Sequence, residues 1–219
     1  MRIARLNSEP EIFYSIQGEG ARTGSPTVFI RTAGCNLQCS WCDTKHSWGN
    51  GIEITEQAAA KKILSYAAPG LVVTGGEPLI QTEALEKLFT FLPSDMFIEV
   101  ETNGTIAPSP ALVQRVNQWN VSPKLPHAGN RTVALQPEIL HRFIATNRAW
   151  FKFVVNGEED WATIEALQLP QDRIILMPCA TSLEQLQEKR LHIVQLCLEH
   201  KVRFGDRLHI ALWGDKKGV

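Results

Sequence analysis

Cys35, Cys39 and Cys42 stand together in the run Cys35-Asn36-Leu37-Gln38-Cys39-Ser40-Trp41-Cys42. The C-x3-C-x2-C spacing lets one short loop wrap three thiolates around a single inorganic centre. Iron–sulfur clusters are ordinarily held by four cysteine thiolates. A cubane held by three leaves one iron open, and an open position lets a metal bind and polarise a small molecule, as it does in catalytic zinc sites. Other chemistries fit the spacing less well. A zinc knuckle shows paired C-x2-C units or a nearby histidine as fourth ligand. Here the nearest histidine is His46, and Cys179 and Cys197 lie far off without pair spacing. A disulfide framework fits poorly, because three clustered cysteines cannot pair among themselves. The first residues, Met1 to Asn7, lack the apolar core of a secretory signal, so a reducing cytoplasm is the expected compartment.

Short β-rich runs and helical segments alternate along the chain and must position that loop. Thr27 to Thr32 reads as a strand that delivers the chain to Gly34 and the cysteines. Thr55 reads as the N-cap of a helix reaching about Tyr66. Leu71 to Thr74 is the next strand, followed by a helix over Gln81 to Leu92 with Leu85, Leu88 and Phe89 on one face. Phe97 to Glu101 and Trp119 to Ser122 read as strands flanking a helix near Ala111 to Asn117. Later strands are expected at Trp150 to Val155, Arg173 to Met177 and Leu208 to Leu212, with helices over Glu159 to Leu167 and Ser182 to His200. Such alternation predicts a parallel sheet with right-handed crossovers in one domain over residues 1–219. Ligands of α/β barrels gather at the C-terminal ends of strands. The cysteine loop, Thr74-Gly75-Gly76-Glu77-Pro78, Glu101-Thr102-Asn103 and Ser122-Pro123-Lys124 all fall at such ends. Lys plus Arg (22) nearly balance Asp plus Glu (23), so nothing advertises a nucleic-acid-binding surface. No apolar run approaches a membrane span.

The cysteine motif, with Trp41 just before its last cysteine, and the Gly75-Gly76-Glu77-Pro78 turn after Leu71-Val72-Val73 together resemble the radical S-adenosylmethionine (SAM) superfamily. The resemblance implies an incomplete, TIM-like α/β barrel. It also implies a 4Fe–4S cluster on Cys35, Cys39 and Cys42, with the methionyl amino and carboxylate groups of SAM on the fourth iron. One-electron cleavage of SAM would then give a 5′-deoxyadenosyl radical, for which a donor such as flavodoxin or ferredoxin is expected. Gly75 and Gly76 would bring backbone close to the ligand, and Glu77 could accept from the methionyl ammonium.

A narrower resemblance covers almost the whole chain. Glu11-Ile12-Phe13-Tyr14-Ser15-Ile16-Gln17-Gly18-Glu19-Gly20, Phe29-Ile30-Arg31-Thr32-Ala33-Gly34-Cys35, Cys42-Asp43-Thr44, Ser122-Pro123-Lys124 and the segment Leu212 to Val219 resemble the 7-carboxy-7-deazaguanine synthase family. That family carries out a ring contraction of 6-carboxy-5,6,7,8-tetrahydropterin to 7-carboxy-7-deazaguanine, releasing ammonia, on the route to queuosine. Its members are Mg2+-assisted and commonly homodimers. The resemblance implies that Ile16, Gln17, Gly18, Arg31 and Thr74 hold substrate, with Gln17 on the pterin edge and Arg31 on the carboxylate. It makes Thr44 a Mg2+ ligand. Trp41, Cys42, Asp43, Gly75, Gly76, Glu77, Ser122, Pro123 and Lys124 would then lie against SAM. Some members carry a long insertion between the first two cysteines; this chain has the short spacing, so an ordinary cluster loop is expected. Lys45, His46 and Trp48 have no evident role. His127 and His209 read as hydrogen-bonded groups, and Cys179 and Cys197 as small buried hydrophobes. Asp215-Lys216-Lys217 fits either a substrate contact or a solvated tail. Two rival readings are a radical activase acting on a partner protein's glycine, which needs an open peptide groove, and a zinc-stabilised binding module.

Overall fold

Successive side chains of a strand point to opposite faces, and here that alternation separates an apolar face from a polar one. The computed structural model describes residues 1–130 and 134–219. Seven strands matter for the site: β1 (Ile12–Ile16), β2 (Pro26–Thr32), β3 (Gly70–Gly75), β4 (Phe97–Thr102), β5 (Gln118–Val121), β6 (Ala149–Val155) and β7 (Ile174–Pro178). From β2 to β7 each strand pairs in parallel with the next in sequence, and Arg203–Phe204 adds a short parallel rung beyond β7. On the other side, β1 runs antiparallel to β2, with Ile12 opposite Ile30 and Ile16 opposite Pro26. Arg2–Ile3 pairs with the end of β2, and Ile52–Glu53 pairs with Arg2–Ile3. Among the described residues no pairing joins the two edges, so the sheet is an incomplete barrel, as the superfamily resemblance implied.

The outer face carries Val28, Ile30, Leu71, Val73, Ile98, Val100, Trp119, Val121, Phe151, Phe153, Ile174 and Leu176, all buried in one core. Against them pack α1 (Glu56–Leu64), α2 (Thr82–Thr90), α3 (Pro110–Arg115), α4 (Pro137–Ile144), α5 (Trp161–Glu165) and α6 (Leu183–His200). The opposite set, Arg31, Thr74, Glu99, Glu101, Gln118, Asn120 and Lys152, faces the barrel interior. Parallel strands covered on both faces usually read as near-continuous apolar runs; charged and polar side chains at many of the inward positions, Arg31, Glu99, Glu101 and Lys152 among them, set this interior apart. Helix starts follow local chemistry. Thr55 Oγ1 accepts from Ala58 N at 3.1 Å, Ser109 Oγ from Leu112 N at 3.2 Å, and Ser182 Oγ from Gln185 N at 3.3 Å.

Leu208 to Leu212, expected as a strand, is instead helix α7 (Leu208–Trp213). The period-two apolar pattern of Leu208, Ile210 and Leu212 misleads there. Leu208 N donates to Gly18 O at 2.9 Å instead of to a neighbouring strand, and Gly214 at φ +64° ends the helix. Helix α4, which opens on Pro137, and strand β1 were not anticipated. No helix among the described residues is long and apolar enough to cross a membrane.

Candidate active site at the mouth of the barrel

The cysteine loop leaves β2 through Gly34 (φ +94°) and is tied down on several sides. Asn36 Nδ2 donates to Thr105 Oγ1 (2.8 Å), and Asn36 Oδ1 accepts from Asn103 Nδ2 (2.8 Å). Gln38 N donates to Asn130 Oδ1 (2.9 Å) and Ser40 N to Ala128 O (2.9 Å). Cys35, Cys39 and Cys42 line one cavity of about 250 Å³ at the C-terminal ends of the strands. Two of the sulfurs accept hydrogen bonds, Cys35 from Leu37 N (3.4 Å) and Cys39 from Asn130 Nδ2 (3.3 Å), contacts of the kind that tune a cluster's potential. Burial pushes the Cys35 thiol up to about 11, with Glu77 and the other two cysteines adding to it.

The Gly75-Gly76 turn and the cysteine loop are built against each other. Gly76 N donates to Thr32 O (3.1 Å) and Glu77 N to Gly34 O (2.8 Å). A Cβ on Gly76 would stand 2.2 Å from Gly34 O and 2.8 Å from Cys35 Cβ, and one on Gly75 2.3 Å from Thr32 Oγ1. Both glycines are also on the cavity wall. Glu77 is not: it is fully buried, and its carboxylate accepts from Leu79 N (3.0 Å), Thr102 Oγ1 (2.8 Å) and Asn103 N (2.7 Å). These bonds make Glu77 a bracket joining the turn to the end of β4. Pro123, also expected beside the ligand, is buried behind Ser122 and Lys124, which do line the cavity. Lys124 Nζ donates to Ser122 Oγ (2.7 Å) and lies 5.6 Å from the Trp41 ring centre. Trp41 Nε1 donates to His127 Nδ1 (3.2 Å), leaving His127 Nε2 to donate to Val154 O (3.1 Å).

A chain of charged groups crosses the cavity floor. Lys152 Nζ, barely exposed, donates to Glu19 Oε2 (3.0 Å) and Glu101 Oε1 (3.2 Å). Glu101 Oε2 accepts from Thr74 Oγ1 (2.8 Å). Glu19 Oε1 accepts from Arg207 Nε (3.0 Å), and Arg207 reaches on to Asp43 and to Ala180 O. Burial pushes Glu19 up, but Lys152 and Arg207 outweigh it and hold the carboxyl far below its usual range. Burial likewise opposes the ionised Asp43, and Arg207 overrides it. Arg31 Nε donates to Glu11 Oε1 (2.8 Å), whose other oxygen meets His46 Nε2 (2.8 Å). Thr44 Oγ1 lies 3.6 Å from Cys42 Sγ.

The profile of the radical SAM superfamily matches residues 29–173. A 7-carboxy-7-deazaguanine synthase of Pyrobaculum aerophilum is 40% identical over 95% of this chain and 95% of its own length. One from Hyperthermus butylicus is 36% identical over 92% and 91%. The chain belongs to the 7-carboxy-7-deazaguanine synthase family. QueE from Escherichia coli, at 28% identity, superposes with a TM-score of 0.63 over 90% of this chain and 92% of that one.

Within this family member, Ile16, Gln17, Gly18, Arg31, Trp41, Asp43, Thr44, Thr74, Gly75, Gly76, Ser122 and Lys124 line the same cavity as the three cysteines. The Gln17 side chain is turned away from the ligand space: its Nε2 donates to Glu99 Oε1 (2.6 Å) and leans on Glu101 Oε1 (3.4 Å), and its Oε1 accepts from Glu19 N (3.1 Å). Gly18 leaves room for His209, whose Nδ1 would lie 2.5 Å from a Cβ there. Glu19, Lys152, Arg207 and His209 were not anticipated as site residues. The signals were a lysine inside the apolar strand Trp150 to Val155 and a glutamate in Gln17-Gly18-Glu19-Gly20. Residues 214–219 border the cavity while Asp215, Lys216 and Lys217 stay exposed, so the segment is at once near the wall and solvated; Trp48 lines the cavity too. Cys197 is buried in the core and Cys179 half-buried.

Proposed function

We propose that this chain converts 6-carboxy-5,6,7,8-tetrahydropterin into 7-carboxy-7-deazaguanine with release of ammonia, as a radical SAM carbon–nitrogen lyase in deazapurine biosynthesis. One observation carries the reading: family identity runs the full length of the chain, and the cavity it encloses joins a three-thiol loop to a charged floor. Cys35, Cys39 and Cys42 would hold a 4Fe–4S cluster, which together with SAM would supply the radical chemistry. The chain's residues bind, orient and exclude water. A pterin presents an amide N–H and an amino group side by side, a donor pair that a carboxylate receives. Glu101, held by Thr74 and Lys152, is that carboxylate, with the backbone of Ile16 and Gly18 completing the edge. Arg31 keeps its Nε on Glu11 and offers its terminal nitrogens to the substrate carboxylate. Ser122 and Lys124 face SAM, as do Trp41 and the Gly75-Gly76 backbone.

Thr44 offers Mg2+ one hydroxyl, and its neighbour Asp43 is engaged by Arg207. The ion therefore depends on water and substrate oxygens, as Mg2+ commonly does. A one-electron donor of the flavodoxin or ferredoxin kind, a cytoplasmic setting and a homodimer complete the proposal. The walled, charged cavity suits a small polar molecule better than a peptide segment, which disfavours the activase reading. Anaerobic reconstitution followed by incubation with 6-carboxytetrahydropterin, SAM, Mg2+ and a reductant tests it, with product identified by mass. Iron and acid-labile sulfide at about four each per chain are expected; zinc without sulfide, or SAM cleavage with no deazaguanine formed, would sink it.

A further inference from the structure

Below the cavity floor lies a second carboxylate that the reaction as described does not use. Glu99, two residues before Glu101 on the same face of β4, is fully buried. Its Oε1 accepts from Gln17 Nε2 (2.6 Å) and from Asn120 Nδ2, while its Oε2 is buried without any hydrogen-bond partner. The Gln17 amide is thus shared unequally between two carboxylates, close to Glu99 and at 3.4 Å from Glu101 Oε1. That second oxygen is the one Lys152 also holds.

We propose that Glu99 is a positioning residue for substrate binding: by drawing the Gln17 amide down into the barrel, it leaves Glu101 free to receive the donor edge of the pterin. The inference rests on the pterin reading above. Its physical basis is competition for an acceptor. An ionised carboxylate attracts an amide N–H more strongly than a neutral one, so an ionised Glu99 limits Gln17 to its long 3.4 Å contact with Glu101. A protonated Glu99 loosens its hold, and Gln17 turns to Glu101, filling acceptor capacity the substrate needs.

The groups facing Glu99 place this exchange near neutrality. From its own strand comes Glu101, from β6 Lys152, and from the turn Gly20–Arg22 comes Arg22, whose Nη1 is 3.8 Å from Oε2. The uncharged Gln118 and Asn120 of β5, linked to each other at 3.1 Å, and Gln17 complete the surroundings. Burial, then the like charge of Glu101, push the Glu99 carboxyl up to about 7, against Lys152, Gln17 and Arg22. Affinity coupled to the ionised form is present above that pH and declines as pH falls through it.

The test is anaerobic calorimetry of 6-carboxytetrahydropterin binding to the reconstituted, SAM-loaded enzyme from about pH 6 to about pH 8.5, on the parent and on Glu99→Gln. The variant keeps an acceptor oxygen for Asn120 but cannot ionise. The parent's affinity should weaken several-fold toward the acid end. Glu99→Gln should bind roughly tenfold more weakly than the parent at the alkaline end, lack the acid decline, and show the loss in KM with kcat little changed. A parent affinity flat across the range overturns the inference without reference to any variant. So does a Glu99→Gln protein with the parent's affinity and pH profile, or one sharing the parent's slope, which would belong to the substrate. Binding that is absent from the parent at every pH removes the pterin reading itself, and this inference with it; flat but tight binding removes only this inference.

Discussion

Lys152→Met replaces a buried ammonium with an apolar chain of similar length and leaves two carboxylates facing each other across the cavity floor. The structure apportions the loss unequally. Glu19 keeps Arg207 Nε at 3.0 Å, whereas Glu101 keeps only the Thr74 hydroxyl and the distant Gln17 amide. Breaking a buried ion pair by removing one partner costs about 3–5 kcal/mol. Glu101, with 22% of its side chain exposed, recovers some hydration, which points to the lower end, about 3 kcal/mol. For a chain of this size that is a fall in melting temperature of roughly 6–12 °C. The sign of its pH dependence follows from the two partners. Glu19 is held well below its ordinary 4.5, so its contribution is present above that pH and lost as pH falls below it. Lys152 is held above its ordinary 10.5, so its contribution is present below that pH and lost as pH rises past it. The gap between parent and variant should therefore be a plateau between 4.5 and 10.5 that closes at both ends. Far-UV circular dichroism melts of the two apo-proteins across pH read this directly. Equal midpoints at neutral pH, or a gap that widens in acid, would refute the reasoning.

Four further outcomes are expected. Gly76→Ala must displace Gly34 O by about 1 Å to reach ordinary contact, so reconstituted protein should hold well under the parent's iron and sulfide; full loading would contradict the close packing of the two motifs. Cys35→Ala, Cys39→Ala and Cys42→Ala should each abolish turnover while Cys179→Ala and Cys197→Ala retain it, as product analysis by mass will show. Thr44→Ala should blunt the response of turnover to added Mg2+ with cluster absorbance and SAM binding preserved; an unchanged Mg2+ response would clear Thr44 of the role. Arg31→Ala should weaken substrate binding at least about thirtyfold, the cost of roughly 2 kcal/mol for a lost charged partner, and should erase the preference for the carboxylated substrate over a decarboxylated analogue in calorimetry.

What could be read from the chain beforehand was local. The cysteine loop, the Gly75-Gly76 turn, the cap at Thr55 and the strands from β2 to β7 each announce themselves within a dozen residues. The charged floor does not, because its pairs join residues 51, 133 and 188 positions apart. Its local traces are Glu19 in Gln17-Gly18-Glu19-Gly20 and charge inside strands that should be apolar on both faces: Glu99 and Glu101 in Phe97–Thr102, Lys152 in Ala149–Val155. The misreading of Leu208–Trp213 has the same origin. Six residues cannot separate a period of two from a helical turn, and the decisive contact, Leu208 N to Gly18 O, comes from the far end of the chain. Gln17 was placed on the right wall, but its amide orientation is set by Glu99, which no motif includes.

Arg207 also fixes the order in which this enzyme comes into being. The hydrogen bonds that tie Asn36, Gln38 and Ser40 of the cysteine loop all end at or before Asn130, so those partners exist before β6 and β7 are made. Glu19 and Asp43 must wait for a partner made 188 and 164 residues later, roughly 10–40 s at ordinary rates of synthesis. The nascent chain can therefore make the early ties of its thiol loop before Arg207 arrives to complete the charged floor.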